Sequence, residues 1–525
     1  MAMHQPWRHF GFLLLGLAGC GQMGFDSFER ALPEPDAGEP TLLDGGGVER
    51  GEADLGFSLA DAGPDALPEP DAALNSDIGA PDGGSEPAST ALLLEGTGTV
   101  GLRALAVGDD GGLVIAGTLE DEGLGLLSGP DYAAIGMGTH AFVLRLWPDG
   151  TQRWLHVWGF GARTNVVEDV AVMNDVVYAT GTCAGDFVLD GVGYDLGGRQ
   201  EAPLIAFGPD GDVEAIRLYE GSRNVQGRTI SAEGGLLLFG GSYDGTLDLG
   251  LGPLEPRMGD GFTWGFGAVL RHVGDEFVAQ RQLRVTSRST AVVFGMALVD
   301  GEIYAGGRID RGAFDDGPPL PSLGQQDAFL VRINDGPPDA LLNFGTSRND
   351  FIWDLVSDGD AVWSIGMVAG PTPVGGALGS SLATHGANDG FLVRHDITSA
   401  TGDAQYALAI GGTGNDRTWA LDVDSAGRAL VGGDARGDFM FGAEAFSFED
   451  PTAYVMRFDP DGVTQRYAFA GGTGTSVTYA VAHHSGDVYV AGGALEGNVE
   501  LGDTSLTAAR SSAFVWTFRF SRGGG

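Results

Sequence analysis

Glycines closing short apolar runs recur along this chain at a nearly constant interval. The runs are Leu113–Gly117, Val176–Gly181, Leu236–Gly240, Ile303–Gly306, Val362–Gly366, Ala429–Gly432 and Val488–Gly492. Their glycines stand 64, 59, 66, 60, 66 and 60 residues apart. A unit of that size, copied seven times, cannot bury its apolar face alone and must stack on its neighbours, so a closed array is the natural reading.

A second run follows each glycine, best seen at Ala141–Arg145, Ala328–Arg332, Gly390–Arg394 and Ala453–Arg457. Weaker copies stand at Ala202–Ala206, Gly267–Arg271 and Ala513–Thr517. These β-branched and aromatic stretches, bounded by Gly, Asp and Pro, are predicted strands. Pro-Asp-Gly at 148–150, 209–211 and 460–462 predicts hairpin turns, because proline presets φ and glycine supplies the left-handed exit. Beyond the first twenty residues no apolar period of 3.6 is sustained. Each unit therefore reads as about four strands, and the fold class expected is all-β, a seven-bladed β-propeller. Ala91–Gly98 matches Tyr467–Gly474, the fourth strand of an earlier unit, whereas the last unit stops at Phe520 after its third. The N-terminal strand is expected to complete the last blade and cover its edge.

The unit 452–493, with its Tyr454-centred strand, Pro460–Gly462 turn, Gly471–Gly474 loop and Val488–Gly493 strand, resembles the seven-bladed beta-propeller (SBBP-type) repeat of bacterial envelope proteins. The resemblance spans about 91–520 and bears on fold; no common activity accompanies the repeat. Repeats 2 and 3 depart most, with Pro203 and Ala206 in one strand and Ala268 in place of the aromatic in the other.

The chain opens with Arg8 and His9 and then an apolar run from Phe10 to Gly19. That is too short for a bilayer, which takes about 20 residues, but fits the core of a signal peptide. The run ends in Leu17–Ala18–Gly19–Cys20, which resembles the lipobox of bacterial lipoproteins. The resemblance implies a signal peptide over 1–19 and lipidation of Cys20. Gly21 is not the aspartate that retains enteric lipoproteins at the inner membrane, so outer-membrane delivery is implied, facing either the periplasm or the outside. The acyl chains would anchor the protein without a transmembrane helix.

Residues 20–90 read as a disordered acidic linker. From Gly21 to Ser89 there are 16 acidic residues against two arginines, with near-copies Leu32–Ala37 and Leu67–Ala72. Such a stretch buries too little apolar area to offset its ordering entropy, and charge and proline extend it as a tether. The propeller domain is assigned to 91–525. With Cys20 lipidated, Cys183 has no disulfide partner, and its place after an apolar run suggests a buried core residue.

The net charge of −42, with 71 acidic residues against 29 basic and no lysine, argues against nucleic acid as a partner and excludes a Walker-type phosphate loop. Gly96–Gly101 fits G-x-G-x-x-G, but no helix follows, so it reads as a connecting loop. The pairs Asp109/Asp110, Asp422/Asp424 and Asp459/Asp461 lack the spacing of a calcium loop and read as turns. His483 and His484 are adjacent on a strand, so they point to opposite faces and do not share a metal. His140, His272, His385 and His395 form no metal-ligand spacing, and no nucleophile elbow is found. Arg145, Arg271, Arg332, Arg394 and Arg457 recur at one position; pairing with a neighbouring carboxylate explains them more simply than an anion site.

No catalytic residue, cofactor or metal is assigned. The function expected is a non-catalytic binding or scaffolding propeller, a monomer held to the membrane by its N-terminal lipid, with an envelope protein or glycan as partner. The alternatives are a propeller enzyme acting on polysaccharide, as a lyase or hydrolase, and an outer-membrane assembly factor.

Overall fold

Among the described residues every regular element is a β-strand, and the sheets are antiparallel throughout. The computed structural model describes residues 89–520, apart from 97, 121–123, 126–137, 160–163, 256–261, 315–319, 334–338, 375–380, 399–402, 442–443, 463 and 486–487. The signal segment, Cys20 and the acidic linker lie outside the described residues.

The repeat seen in the sequence is a four-stranded meander. Repeat 1 runs Val100–Val107, Leu113–Glu120, Thr139–Leu146 and Gln152–Trp158, each strand bonded to the next. Repeats 2 to 6 follow the same order, opening with Val166–Met173, Val225–Glu233, Ala291–Val299, Phe351–Ser357 and Arg417–Val423. Repeat 7 supplies three strands, Thr475–Ser485, Val488–Leu501 and Thr504–Arg519. Its fourth is the N-terminal strand Thr90–Gly96, which pairs from Thr90↔Thr517 to Leu94↔Ala513. Each first strand lies against the first strand of the following repeat, and that of repeat 7 lies against that of repeat 1.

The second and third strands carry the apolar runs because both of their faces are covered. Val362–Val368 is buried at every position, and in Thr139–Leu146 only the first residue is not. The core is divided among clusters at the boundaries between repeats. One joins Leu102, Ile115 and Phe142 of repeat 1 to Ala480, Val490 and Val515 of repeat 7. Burying a side chain such as Phe142 contributes about 1.5–3 kcal/mol, so each boundary holds two repeats together.

Every first strand carries a β-bulge in its pairing with the second. The extra residue is Arg103, Glu168, Arg228, Phe294, Trp353, Trp419 or Tyr479, in repeats 1 to 7. The bulge explains the glycine marker and corrects it. A Cβ on Gly117, Gly181, Gly241, Gly307, Gly366, Gly433 or Gly493 would fall within 2.0 Å of a first-strand carbonyl oxygen. In each repeat that carbonyl belongs to the residue two before the bulged one, as with Val292 over Gly307. In repeats 3, 4, 6 and 7 the glycine required is therefore the second of a Gly-Gly pair, one residue past the apolar run that drew attention to it.

The predicted turns are present. Gly150, Gly211 and Gly462 have φ of 83°, 93° and 81°, and the Gly150 amide donates to the carbonyl of Trp147. Pro203 interrupts the ladder between the second and third strands of repeat 2, as expected of a residue with no amide hydrogen. Its carbonyl accepts instead from Thr180 Oγ1 at 2.8 Å.

Candidate functional site

The bulge turns one side chain per repeat out of the regular pleat, as bulges beside functional sites do. Because the first strands lie side by side in cyclic order, these side chains meet. The rings of Phe294 and Trp353 are 4.8 Å apart, those of Trp353 and Trp419 5.3 Å, and those of Trp419 and Tyr479 5.9 Å. The guanidinium of Arg103 lies 5.5 Å from the centre of the Tyr479 ring. On the other side Arg228 pairs with Glu168 at 2.7 Å. Repeats 4 to 7 thus contribute an aromatic arc, and repeats 1 to 3 an Arg–Glu–Arg arc. Phe294 is buried, and the other six are half-buried.

Neighbouring groups hold the arc in place. Asp434 accepts from the Trp419 indole at 2.7 Å and pairs with Arg417 at 2.8 Å; Arg417 in turn lies 5.0 Å from the Trp419 ring centre. Phe351 packs against Trp353 at 5.0 Å. Arg308 lies over both Phe351 and Phe294, at 5.1 and 5.6 Å. Burial, together with the charge of Arg228, pushes the Arg308 guanidinium down to about 9.

Further along the same strands, carboxylates bind one repeat to the next. Asp169 accepts from the Ile230 amide at 2.7 Å, Glu233 from Leu298 at 3.1 Å, Asp354 from Leu421 at 3.3 Å and Asp422 from His483 at 2.6 Å. Burial raises Asp169 and Glu233 to about 7 and Asp354 well above the usual range, with the charge of Asp169 adding to the shift of Asp354. Their oxygens are taken up by backbone amides, which suits a structural role.

The residues singled out in the sequence lie elsewhere. The recurrent arginines sit on third strands. Arg145 is fully buried and pairs with Asp110 at 3.0 Å and Asp175 at 3.1 Å. Arg332 pairs with Glu302 and Asp339, and Arg394 with Asp358. Arg457 departs from the pattern by donating to the Tyr489 hydroxyl at 2.9 Å, and Arg271 is exposed. Arg332 and Arg394 pair within their own repeats, whereas Arg145 and Arg457 also reach into the next repeat, to Asp175 and Tyr489, so these contacts are local and do not gather in one anion site.

The aspartate pairs act in turns and ion pairs. Asp110 accepts from the Gly112 amide and from Arg145 and Arg153, and Asp424 from the amides of Ala426 and Arg428. Asp459 closes its turn by accepting the Gly462 amide through its carbonyl. His483 faces Asp424 at 4.0 Å, whereas His484 bonds the Gly111 carbonyl of repeat 1 at 2.8 Å. His140 bonds the Gly159 carbonyl and His395 shares a bond with Ser364. His272 bonds the Tyr178 hydroxyl, and His385 donates its amide to Asp389. Among the described residues no three His, Cys, Asp or Glu side chains are grouped to hold a metal. Gly96 ends the strand Thr90–Gly96 and Gly101 lies in the next, Val100–Val107. Cys183 is buried, accepts from the Trp158 indole at 3.3 Å, and is pushed up to about 12 by burial.

No bulged residue was singled out in the sequence, because their types differ from repeat to repeat. A signal was present nonetheless: each stands 13 or 14 residues before the glycine its bulge requires, as Trp353 before Gly366 and Arg103 before Gly117.

No family model matches the chain, and no curated protein matches it. Two solved structures of the extracellular domain of BT4673 from B. thetaiotaomicron are similar at 9% identity and a TM-score of 0.18. One is described as part of a hybrid two component system, and the likeness covers 82% of each chain. The other is described as part of a one component system, with 82% of this chain and 73% of that one covered. A likeness of this size carries no argument about fold or function.

Proposed function

We propose that this chain is a lipid-anchored, non-catalytic binding protein of the bacterial envelope, built as a closed seven-bladed β-propeller that takes its ligand at the circuit of bulged residues. The cyclic order of the first strands and the N-terminal strand in the last sheet support closure. The lipobox ending at Cys20 supports the anchor, and the linker to residue 90 supports display on a tether.

One observation carries the binding reading. A bulge needs no particular side chain, yet the seven collected here are four aromatics in unbroken succession and an Arg–Glu–Arg run. Half-buried aromatic rings held by a second layer of charged groups are what a recognition surface requires. The carboxylates nearby are occupied by backbone amides, which favours binding over acid–base chemistry.

The test uses the full-length lipoprotein, immobilised through its C-terminus and exposed to native envelope extract. A defined, saturable component should be retained, and the Trp353→Ala/Trp419→Ala double variant should lose it while keeping its fold by circular dichroism. Retention unchanged in that variant would move the site elsewhere. Turnover of a retained polysaccharide would favour an enzyme, and retention of outer-membrane machinery an assembly factor. Palmitate labelling that disappears in Cys20→Ser would establish the anchor.

A further inference from the structure

Where repeats 5 and 6 meet, a cleft of about 330 Å³ is lined by residues that include Ala387, Thr413, Asn415, Arg436 and Phe448. Three chain segments forming it are tied to two aspartates beneath. Asp389 Oδ2 accepts the His385 amide at 2.6 Å, Asp416 Oδ2 the Gly412 amide at 2.7 Å and Asp416 Oδ1 the Arg436 amide at 2.8 Å. Both aspartates are fully buried, and Asp389 Oδ1 has no hydrogen-bond partner. Neither forms an ion pair among the described residues. The other charged groups facing them are Asp434, already paired with Arg417, and His385 at the surface. Burial, followed by the charges of Asp389 and Asp434, pushes Asp416 up to about 7, and burial raises Asp389 as well.

The arrangement recurs between repeats 4 and 5. Asp327 Oδ2 accepts the Leu323 amide at 2.9 Å, Asp350 Oδ2 the Thr346 amide at 2.6 Å and Asp350 Oδ1 the Ala369 amide at 2.8 Å. Both are buried, and Asp327 Oδ1 again lacks a partner. A Cβ on Gly345 would lie 2.9 Å from Asp350 Oδ2 and 3.0 Å from Asp327 Oδ1, so the two carboxyls converge on one backbone atom. The charges facing this pair are Asp310 and Arg348. Between repeats 1 and 2 the place of Asp350 is taken by a neutral residue, Asn165. Its Oδ1 accepts the Ala184 amide at 3.1 Å, and a Cβ on Gly159 would lie 2.8 Å from its Nδ2. The fold therefore needs a hydrogen-bonding group at this place, not a charge, and paired acids are particular to the two junctions around repeat 5.

A buried carboxylate oxygen with neither donor nor cation is costly, whereas a protonated one becomes a donor. Two carboxyls placed this way hold one proton between them. We propose that the Asp389/Asp416 pair is a proton-operated latch on the cleft, pinning its three segments while the proton is held and loosening them once it is lost. Asp327/Asp350 is a second copy, acting on the segments around Leu323, Thr346 and Ala369. The latch is separate from the circuit of bulged residues and does not rest on it. Its sign follows from linkage: a carboxyl raised in the closed state favours that state below the open-state value, and the advantage is lost as pH climbs through the closed-state one.

The experiment is amide hydrogen exchange of the full chain at about pH 5 and 7.5, with each rate divided by the intrinsic rate at that pH. Between these values the protection of segments 385–387, 412–415 and 436–437 should fall at least about tenfold, one proton allowing at most about tenfold per pH unit. Asp389→Asn keeps the acceptor for His385 and puts an amide donor at the orphaned oxygen, so it should flatten that fall. Asp327→Asn should flatten the response around Leu323 and Thr346 and leave the cleft segments pH-dependent, which keeps the test open if one variant fails to fold. Protection of the cleft segments that does not change with pH overturns the latch, as does an equal fall in parent and Asp389→Asn. A fall shared in full by the buried strand Val362–Val368 reports global loss of stability and overturns it too.

Discussion

Arg103, in the first repeat, lies over the ring of Tyr479, in the seventh, 5.5 Å from its centre. The two side chains come from opposite ends of the repeat array and occupy the same position in their units, the residue extruded by the first-strand bulge. Their contact joins the aromatic arc to the charged arc. It also marks the seam, where Leu102 and Ile115 share a core with Ala480 and Val490 and His484 reaches the Gly111 carbonyl.

The coupling of bulge and glycine makes adjacent glycines unequal. A Cβ on Gly306 would meet the ends of Leu355 and Ile352 at 2.9–3.1 Å, which side chains can relieve, whereas on Gly307 it would meet the Val292 carbonyl oxygen at 1.9 Å. Gly306→Ala should cost about 1–3 kcal/mol, the usual range for overpacking. Gly307→Ala should cost distinctly more, because backbone must move and the Phe294 bulge with it. Urea denaturation of the two variants decides this, and equal midpoints would contradict the coupling.

The recurrent arginines also divide into two kinds. Arg145 is fully buried and pairs with Asp110 and Asp175, which stay partly exposed, so Arg145→Ala, which removes a buried side chain and its ion pairs, should cost about 1–3 kcal/mol. Arg271 occupies the matching position in repeat 3 but is exposed. Arg271→Ala should fall within about 0.5 kcal/mol of the parent. Similar losses at both positions would contradict the local-pairing account.

The all-β class, the four-stranded unit and the N-terminal strand in the last sheet were legible in the sequence for a physical reason. Second and third strands are covered on both faces, so they read as unbroken apolar runs such as Val362–Val368, and the Pro-Asp-Gly turns mark their ends. Ala91–Gly98 was legible because it copies a fourth strand. The circuit was not legible. The bulged position is defined by backbone register, and its seven occupants, from Glu168 to Trp419, share no property a residue-type search detects. The glycine marker was read one residue early in four repeats, because hydrophobic pattern ends a run at its first glycine while sterics select the second. Cys20 and the linker lie outside the described residues, so the anchor rests on the lipobox alone.

The carboxylates between the first strands predict a pH dependence of stability. Burial raises Asp169 to about 7 from its usual 3.8. A carboxyl raised on folding contributes stability that is fully present below its unfolded value and is lost as pH climbs through its folded one. The folded chain should therefore lose stability from this group between about pH 4 and 7, with a slope of at most about 1.4 kcal/mol per pH unit for one carboxyl. Asp169→Asn cannot ionise and should flatten the dependence across that window. Glu233 and Asp354, raised in the same direction, should leave a residual slope. Urea midpoints at pH 5 and 7.5 compare the two proteins, and an unchanged slope in the variant would contradict the assignment.

The circuit exists only if the two ends of the array meet, and a crosslink tests that most directly. Thr90 stands opposite Thr517 in the pairing of the N-terminal strand with the last strand of repeat 7. In a full chain carrying Cys20→Ser and Cys183→Ala, the pair Thr90→Cys/Thr517→Cys should oxidise to a disulfide in high yield. The crosslinked protein should unfold at higher denaturant, by about 2–4 kcal/mol in stability. The pair Ala91→Cys/Thr517→Cys, one residue out of register and on the opposite face, should not. A disulfide absent from the first pair, or formed equally in both, would contradict the closed ring and the site built on it.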